Sequence, residues 1–113
     1  MSERKTEDSL QDMLEAARRI CLYTKNTAFE QFEKDFKTQD AVLRNLEVLG
    51  EATKNISEDF RYEHPNLPWS EMARTRDVLI HHYFGVNLDI VWGIAALELP
   101  KIIAELELIL DKK

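Results

Sequence analysis

The sequence predicts a single all-α domain over residues 1–113, an up-down bundle of four main helices with a short extra helix and a kinked last helix. Three observations carry this. A chain of 113 residues suffices for one domain and is short for two. Only three Gly and three Pro punctuate it, too few turns for a sandwich or barrel. Apolar residues recur at three- and four-residue spacing rather than alternating. At 44% hydrophobic and 32% charged residues, the chain can bury a modest core and remain soluble.

The first periodic segment runs from about Ser9 to Lys25, with Leu10, Met13, Leu14, Ala17, Ile20 and Cys21 on one face and Ser9 or Asp8 as cap. Asn26-Thr27 breaks it, and Phe29, Phe32 and Phe36 predict a short helical return under the bundle. A second helix runs from about Gln39 to Ile56 behind Thr38 as N-cap, with Val42, Leu46, Leu49, Thr53 and Ile56 on one face, flanked by Leu43 and Gly50. Gly50 costs about 1 kcal/mol relative to Ala there, tolerable if another helix packs close.

Residues 57–68 form the main irregular stretch. Ser57 to Phe60 can make a helical turn, and Pro65 and Pro68 prevent a continuous helix. From Trp69 or Ser70, with Ser70 as cap, a third long helix is expected to reach about Tyr83, where Phe84-Gly85 supplies the stop. The last begins at Asn87, another good cap, and carries a seam of Leu88, Trp92, Ala95, Leu99, Ile102, Leu106 and Ile109. Pro100 predicts a kink or break in it. The seam serves first as bundle core, with some surface left for a second copy.

Charge narrows the function. Fifteen basic against 21 acidic residues give a net charge of -6, which argues against broad, non-specific nucleic-acid binding. A small local site stays open, because His64, His81 and His82 share one stretch with Arg61, Arg74 and Arg76. Cys21 is alone, so no internal disulfide forms and a reducing compartment is the simpler expectation. Met1 to Asp8 has no apolar signal core, and runs such as Ile94 to Leu97 fall far short of a membrane span. A cytoplasmic protein without membrane contact is expected.

The chemistry-bearing string is Arg76, four residues, His81, one residue, Tyr83. Arginine offers fixed donors to phosphate oxygens, and histidine titrates near neutral pH and moves protons. Together they are a minimal kit for cleaving a phosphodiester without metal. Tyr83 adds a hydroxyl that can bind phosphate or be modified. On a straight helix Arg76 and His81 lie about 140° apart, so they converge only if the helix ends near His81 or a second chain completes the site. Asp77 and His81 share a face, and the carboxylate can fix the imidazole tautomer. Arg76 and Tyr83, seven apart, also align. From spacing alone the signal is weak, and ordinary capping and ion pairing is the favoured account. Cys21, His64, His81 and His82 show no zinc spacing. Glu47 and Glu51, one turn apart, could hold a metal, but a solvated or ion-paired face fits them better. No metal and no cofactor is expected.

Two longer strings widen the picture. The run from Arg76 to Trp92 resembles the signature of HepT toxins in the HEPN superfamily, and Ala41 to Ala52 resembles that family's other helix motif. Pro68-Trp69 and Leu99-Pro100 also fit, so the similarity spans about Leu10 to Leu108. The resemblance implies a HEPN-like bundle, usually a homodimer with motifs facing a shared cleft. It implies a metal-independent endoribonuclease in which Arg76 and His81 act on the scissile phosphate of an RNA substrate. It implies a minimal nucleotidyltransferase antitoxin that adenylates Tyr83. Arg44, Asn45 and Glu51 fall inside the second motif and are candidates to line the cleft. Two positions depart from the pattern: Asp77 stands where Asn is usual, and His82 where Gly is common. A carboxylate at 77 can repel phosphate or orient His81. The alternative is a non-catalytic HEPN module that binds a nucleotidyltransferase and a nucleotide for it, and a third is a helical interaction protein.

Overall fold

The computed structural model describes the backbone of residues 3–81 and 87–111 and the side chains of 5–75 and 87–111. Helix α1 spans Glu3–Thr24. It begins before the predicted start, because residues 3–8 are mostly charged and contain no Gly or Pro to break the helix. Ser9 is therefore not a cap; it lies inside the helix, buried. Leu10, Met13, Leu14, Ala17 and Ile20 form the expected core face. Asn26, at φ 58, takes the left-handed conformation that turns the chain.

Helix α2, Phe29–Lys34, is the predicted return. Gln31 closes its start by accepting the Ala28 N–H at 3.1 Å. Phe32 is fully buried, its ring 5.2 Å from that of Trp92. Phe36 does not join it. It opens α3, Phe36–Lys54, and is 74% exposed. The cap of α3 is Asp35 and not Thr38: the carboxylate accepts the Thr38 N–H at 3.1 Å and the Thr38 hydroxyl at 2.6 Å. Val42, Leu46, Leu49 and Thr53 are buried as predicted, and Gly50 and Ala52 with them.

The predicted turn after Ser57 extends into α4, Glu58–Glu63, with Ser57 Oγ accepting the Phe60 N–H at 3.2 Å. Helix α5 spans Trp69–His81. Ser70 is not its cap, since Trp69 is already helical and the Met72 N–H reaches the Pro68 carbonyl at 3.0 Å. The expected end at Tyr83 and the Phe84-Gly85 stop lie outside the described residues.

Asn87 caps α6, Leu88–Gly93, by accepting the Asp89 N–H at 2.8 Å. A π-helical turn, Ile94–Glu98, then leads into α7, Leu99–Asp111. The distortion predicted at Pro100 thus takes the form of one widened turn just before it, not a break. Burial follows the same logic. Val91, Ala95 and Leu99 are each four apart, matching a turn longer than 3.6 residues, after which Ile102, Leu106 and Ile109 resume ordinary spacing.

The long helices pack α1 on α3, α3 on α5, and α1 on α7. Leu10, Met13, Ile20, Leu46, Leu49, Leu99 and Leu106 meet at the centre with almost no exposure. The architecture is the predicted all-α, HEPN-like bundle. Among the described residues, no helix is long and apolar enough to cross a membrane.

Candidate functional site

The first half of α5 is fixed by its own entry. Trp69 is buried, and its indole N–H donates to the His64 carbonyl at 2.8 Å. Phe60 meets the Trp69 ring edge-on at 6.2 Å and the His64 ring at 4.4 Å. Met72 is buried one turn on. These contacts anchor the helix that carries Arg76, Asp77 and His81 in its second half. Pro68-Trp69 marked the helix start in the sequence, but the anchoring contact with the His64 carbonyl was not readable from it.

Arg76, Asp77 and His81 all fall within regular helix, with His81 its last described residue. Five residues along α5 place Arg76 and His81 about 140° apart around the axis, while Asp77 and His81 share one face. Tyr83 and His82 lie outside the described residues.

The neighbour of α5 is α3, which carries the three supporting candidates. Arg44 is largely exposed, with Glu47 3.8 Å from its guanidinium. Arg44 and Glu51 share a groove of about 330 Å³ with Glu47 and with Asp12 of α1. Asn45 is not among the groove's lining residues; half-buried, it donates to the Ala41 carbonyl at 2.9 Å, within its own helix. None of the described α5 side chains lines this groove. Asp12 was missed in the sequence because only tertiary packing brings α1 beside this part of α3. Among the described residues, no group of three or more His, Cys, Asp or Glu side chains is placed to hold a metal ion.

A helical bundle with arginine and histidine five apart on the helix packed against α3 is an all-α HEPN-like domain. The family described as "Ribonuclease HepT-like" matches residues 13–109, which run from α1 into α7, and the chain belongs to this HepT-like ribonuclease family. It is 51% identical over 98 residues to "Putative RNase MJ0127" of Methanocaldococcus jannaschii, covering 87% of this chain and 81% of that protein. It is 46% identical over 105 residues to "Probable ribonuclease HepT" of Thermococcus cleftensis, covering 93% and 96%. "Putative RNase MJ1380" of Methanocaldococcus jannaschii is 39% identical over 109 residues, covering 96% and 100%. No solved structure matches the chain significantly.

Proposed function

We propose that this chain is a metal-independent endoribonuclease and the toxin of a type VII toxin–antitoxin pair, acting in the cytoplasm as a homodimer. The observation that carries the reading is the placement of Arg76, Asp77 and His81 on one helix, inside the span that matches the ribonuclease family. The ribose 2'-hydroxyl attacks the adjacent phosphorus. His81 moves the proton, and Arg76 stabilises the charge that develops on the phosphoryl oxygens. Asp77, one turn before His81, orients the imidazole. A minimal nucleotidyltransferase transfers adenylate from ATP to the Tyr83 hydroxyl, releasing pyrophosphate. The added phosphate pairs with Arg76 and the nucleoside fills the cleft, so one modification stops binding and cleavage together.

The experiment is RNA cleavage with a chelator present. Arg76→Ala and His81→Ala should each lose activity by about a hundred-fold or more while circular dichroism stays helical. His82→Ala should keep most of it. Equal loss from both histidine changes overturns the assignment, and dependence on added metal overturns the mechanism. Activity absent from the unmodified protein itself leaves the module that binds a nucleotidyltransferase without cleaving RNA. Adenylation is tested by incubation with the neighbouring nucleotidyltransferase, ATP and magnesium, followed by peptide mapping. Tyr83→Phe should abolish it, and adenylate found only on Tyr23 or Tyr62 refutes the site.

A further inference from the structure

Flanking the buried stripe of α1, a second groove of about 500 Å³ runs between the C-terminal half of α1 and the π-helical turn. Its walls are chiefly apolar: Leu22 on α1, and Trp92, Ala96 and Pro100 across it. Leu22 is 66% exposed and Leu97, beside Ala96, is 65% exposed. Exposed large side chains along an open groove with a half-buried tryptophan are what a protein-binding surface presents. The π-helical turn shapes the far wall by widening the helix there.

The charges at this groove decide what fits it. Among the described residues its charged lining is Arg18 and Lys25 alone, in a chain with 21 acidic and 15 basic residues. Arg18 also pairs with Glu107 at 2.6 Å, an exposed contact that leaves further donors of its guanidinium open. Lys25 has no carboxylate partner among the described residues. Arg18 lies on α1 and Lys25 is the first residue past its end, seven residues on, or about 10 Å along the axis.

The geometry points to this groove as the docking site for an amphipathic helix of a different protein, with an apolar ridge flanked by carboxylates seven residues apart. The ridge fills the space over Leu22, Trp92 and Ala96, and the carboxylates meet Arg18 and Lys25. A second copy of this chain fits poorly. Glu98, at the end of its π-helical turn, and Glu105 of its α7 do lie seven apart, but Lys101 lines the same cleft between them and would be brought against the two cations. RNA fits poorly too, because two cations among apolar walls neutralise little backbone charge. The inference is independent of the ribonuclease reading.

The test is an NMR titration of the full chain with a helical peptide of about four turns, carrying leucines on one ridge and glutamates flanking it at seven-residue spacing. The expected result is saturable shifts at the Leu22, Lys25 and Ala96 amides and the Trp92 indole N–H. The same peptide with lysine for each glutamate should bind about ten-fold more weakly, and Arg18→Glu with Lys25→Glu should reverse that preference. Leu22→Asp, at an exposed position that folding does not need, should abolish binding of both peptides. The Arg18→Glu, Lys25→Glu protein should cleave RNA at the unmodified rate, so a failure here is distinct from a failure of the catalytic assignment. Equal affinity for both peptides, absent or scattered shifts, displacement by a single-stranded RNA, or a dimer that Leu22→Asp splits would each overturn the proposal.

Discussion

Cys21 shows how little of a residue's chemistry its type alone decides. Its thiol lies half-buried on α1, 3.9 Å from the Ala95 carbonyl, and burial pushes its pKa up. A raised pKa means less thiolate at neutral pH, and the thiolate is the reactive form. Cys21 should therefore react with a thiol-specific disulfide reagent several-fold more slowly than a free cysteine at pH 7, and Cys21→Ala should leave RNA cleavage unchanged. Reaction at the rate of free cysteine would show that the thiol is open to solvent. For the proposed motif residues, type and spacing alone were a weak signal, and the assignment of Arg76 and His81 rests on the longer run that resembles the family. The supporting set was less legible. Arg44 and Glu51 do share a groove, but Asn45 spends its amide on the Ala41 carbonyl, and Asp12 reaches the groove from a helix distant in sequence. Side-chain rotamers and partners from another helix are tertiary facts that periodicity does not encode.

At the scale of elements, the helices and their buried faces were readable because one apolar stripe per helix fixes both. Their ends were not, because several residues compete for each cap. Asp35 and Thr38 both suit the start of α3, and Asp35 wins because its carboxylate reaches two donors on Thr38 at once. The Thr38 hydroxyl first, and then the Thr38 backbone N–H, hold the Asp35 carboxyl below the usual carboxylate range. A folded-state pKa below the unfolded one contributes stability that is present above the unfolded pKa and lost as pH falls through the folded one. Asp35→Ala should lower the thermal midpoint by about a few degrees at pH 7, and the difference from the unmodified chain should vanish once the pH drops below the carboxylate range. A deficit that persists in acid would assign the effect to packing instead of the cap. The last helix makes the complementary point. Pro100 predicted a distortion, and it takes the form of a widened turn that buries Val91 where the seam was expected to run through Leu88 and Trp92, both only half-buried. Past that turn the seam is ordinary core. Leu106→Ala, at a side chain with no exposure, should cost about 2–5 kcal/mol in urea unfolding with the slope unchanged. A cost below the range typical of surface substitutions would mean that α7 is not part of the cooperative unit.

For the whole molecule the decisive quantity is the angle between two residues on one helix. Regular α5 extends from Trp69 to His81, so Arg76 and His81 stand about 140° apart around its axis, and one copy of the helix does not turn both toward one phosphate. A two-fold pairing of chains would remove the difficulty by setting the arginine face of one α5 opposite the histidine face of the other, which would build two equivalent composite sites. Dimerisation alone would not distinguish this from two independent sites, but mixing does. Arg76→Ala and His81→Ala homodimers should each be inactive. If subunits are exchanged between them in equal amounts, half of the dimers carry one of each chain. In such a mixed dimer, one composite site takes Arg76 from the His81→Ala chain and His81 from the Arg76→Ala chain, and is intact; the other lacks both groups. Half of the dimers with one of two sites working gives about a quarter of the unmodified activity, from two proteins that are silent apart. If each site draws both residues from a single chain, no dimer in the mixture has a working site and nothing is regained. Light scattering across a dilution series tests for the dimer, and native mass spectrometry of differently tagged chains tests for subunit exchange before the assay. A dimer that exchanges fully yet regains no cleavage would place Arg76 and His81 in the same subunit's site and require α5 to depart from a regular helix between them.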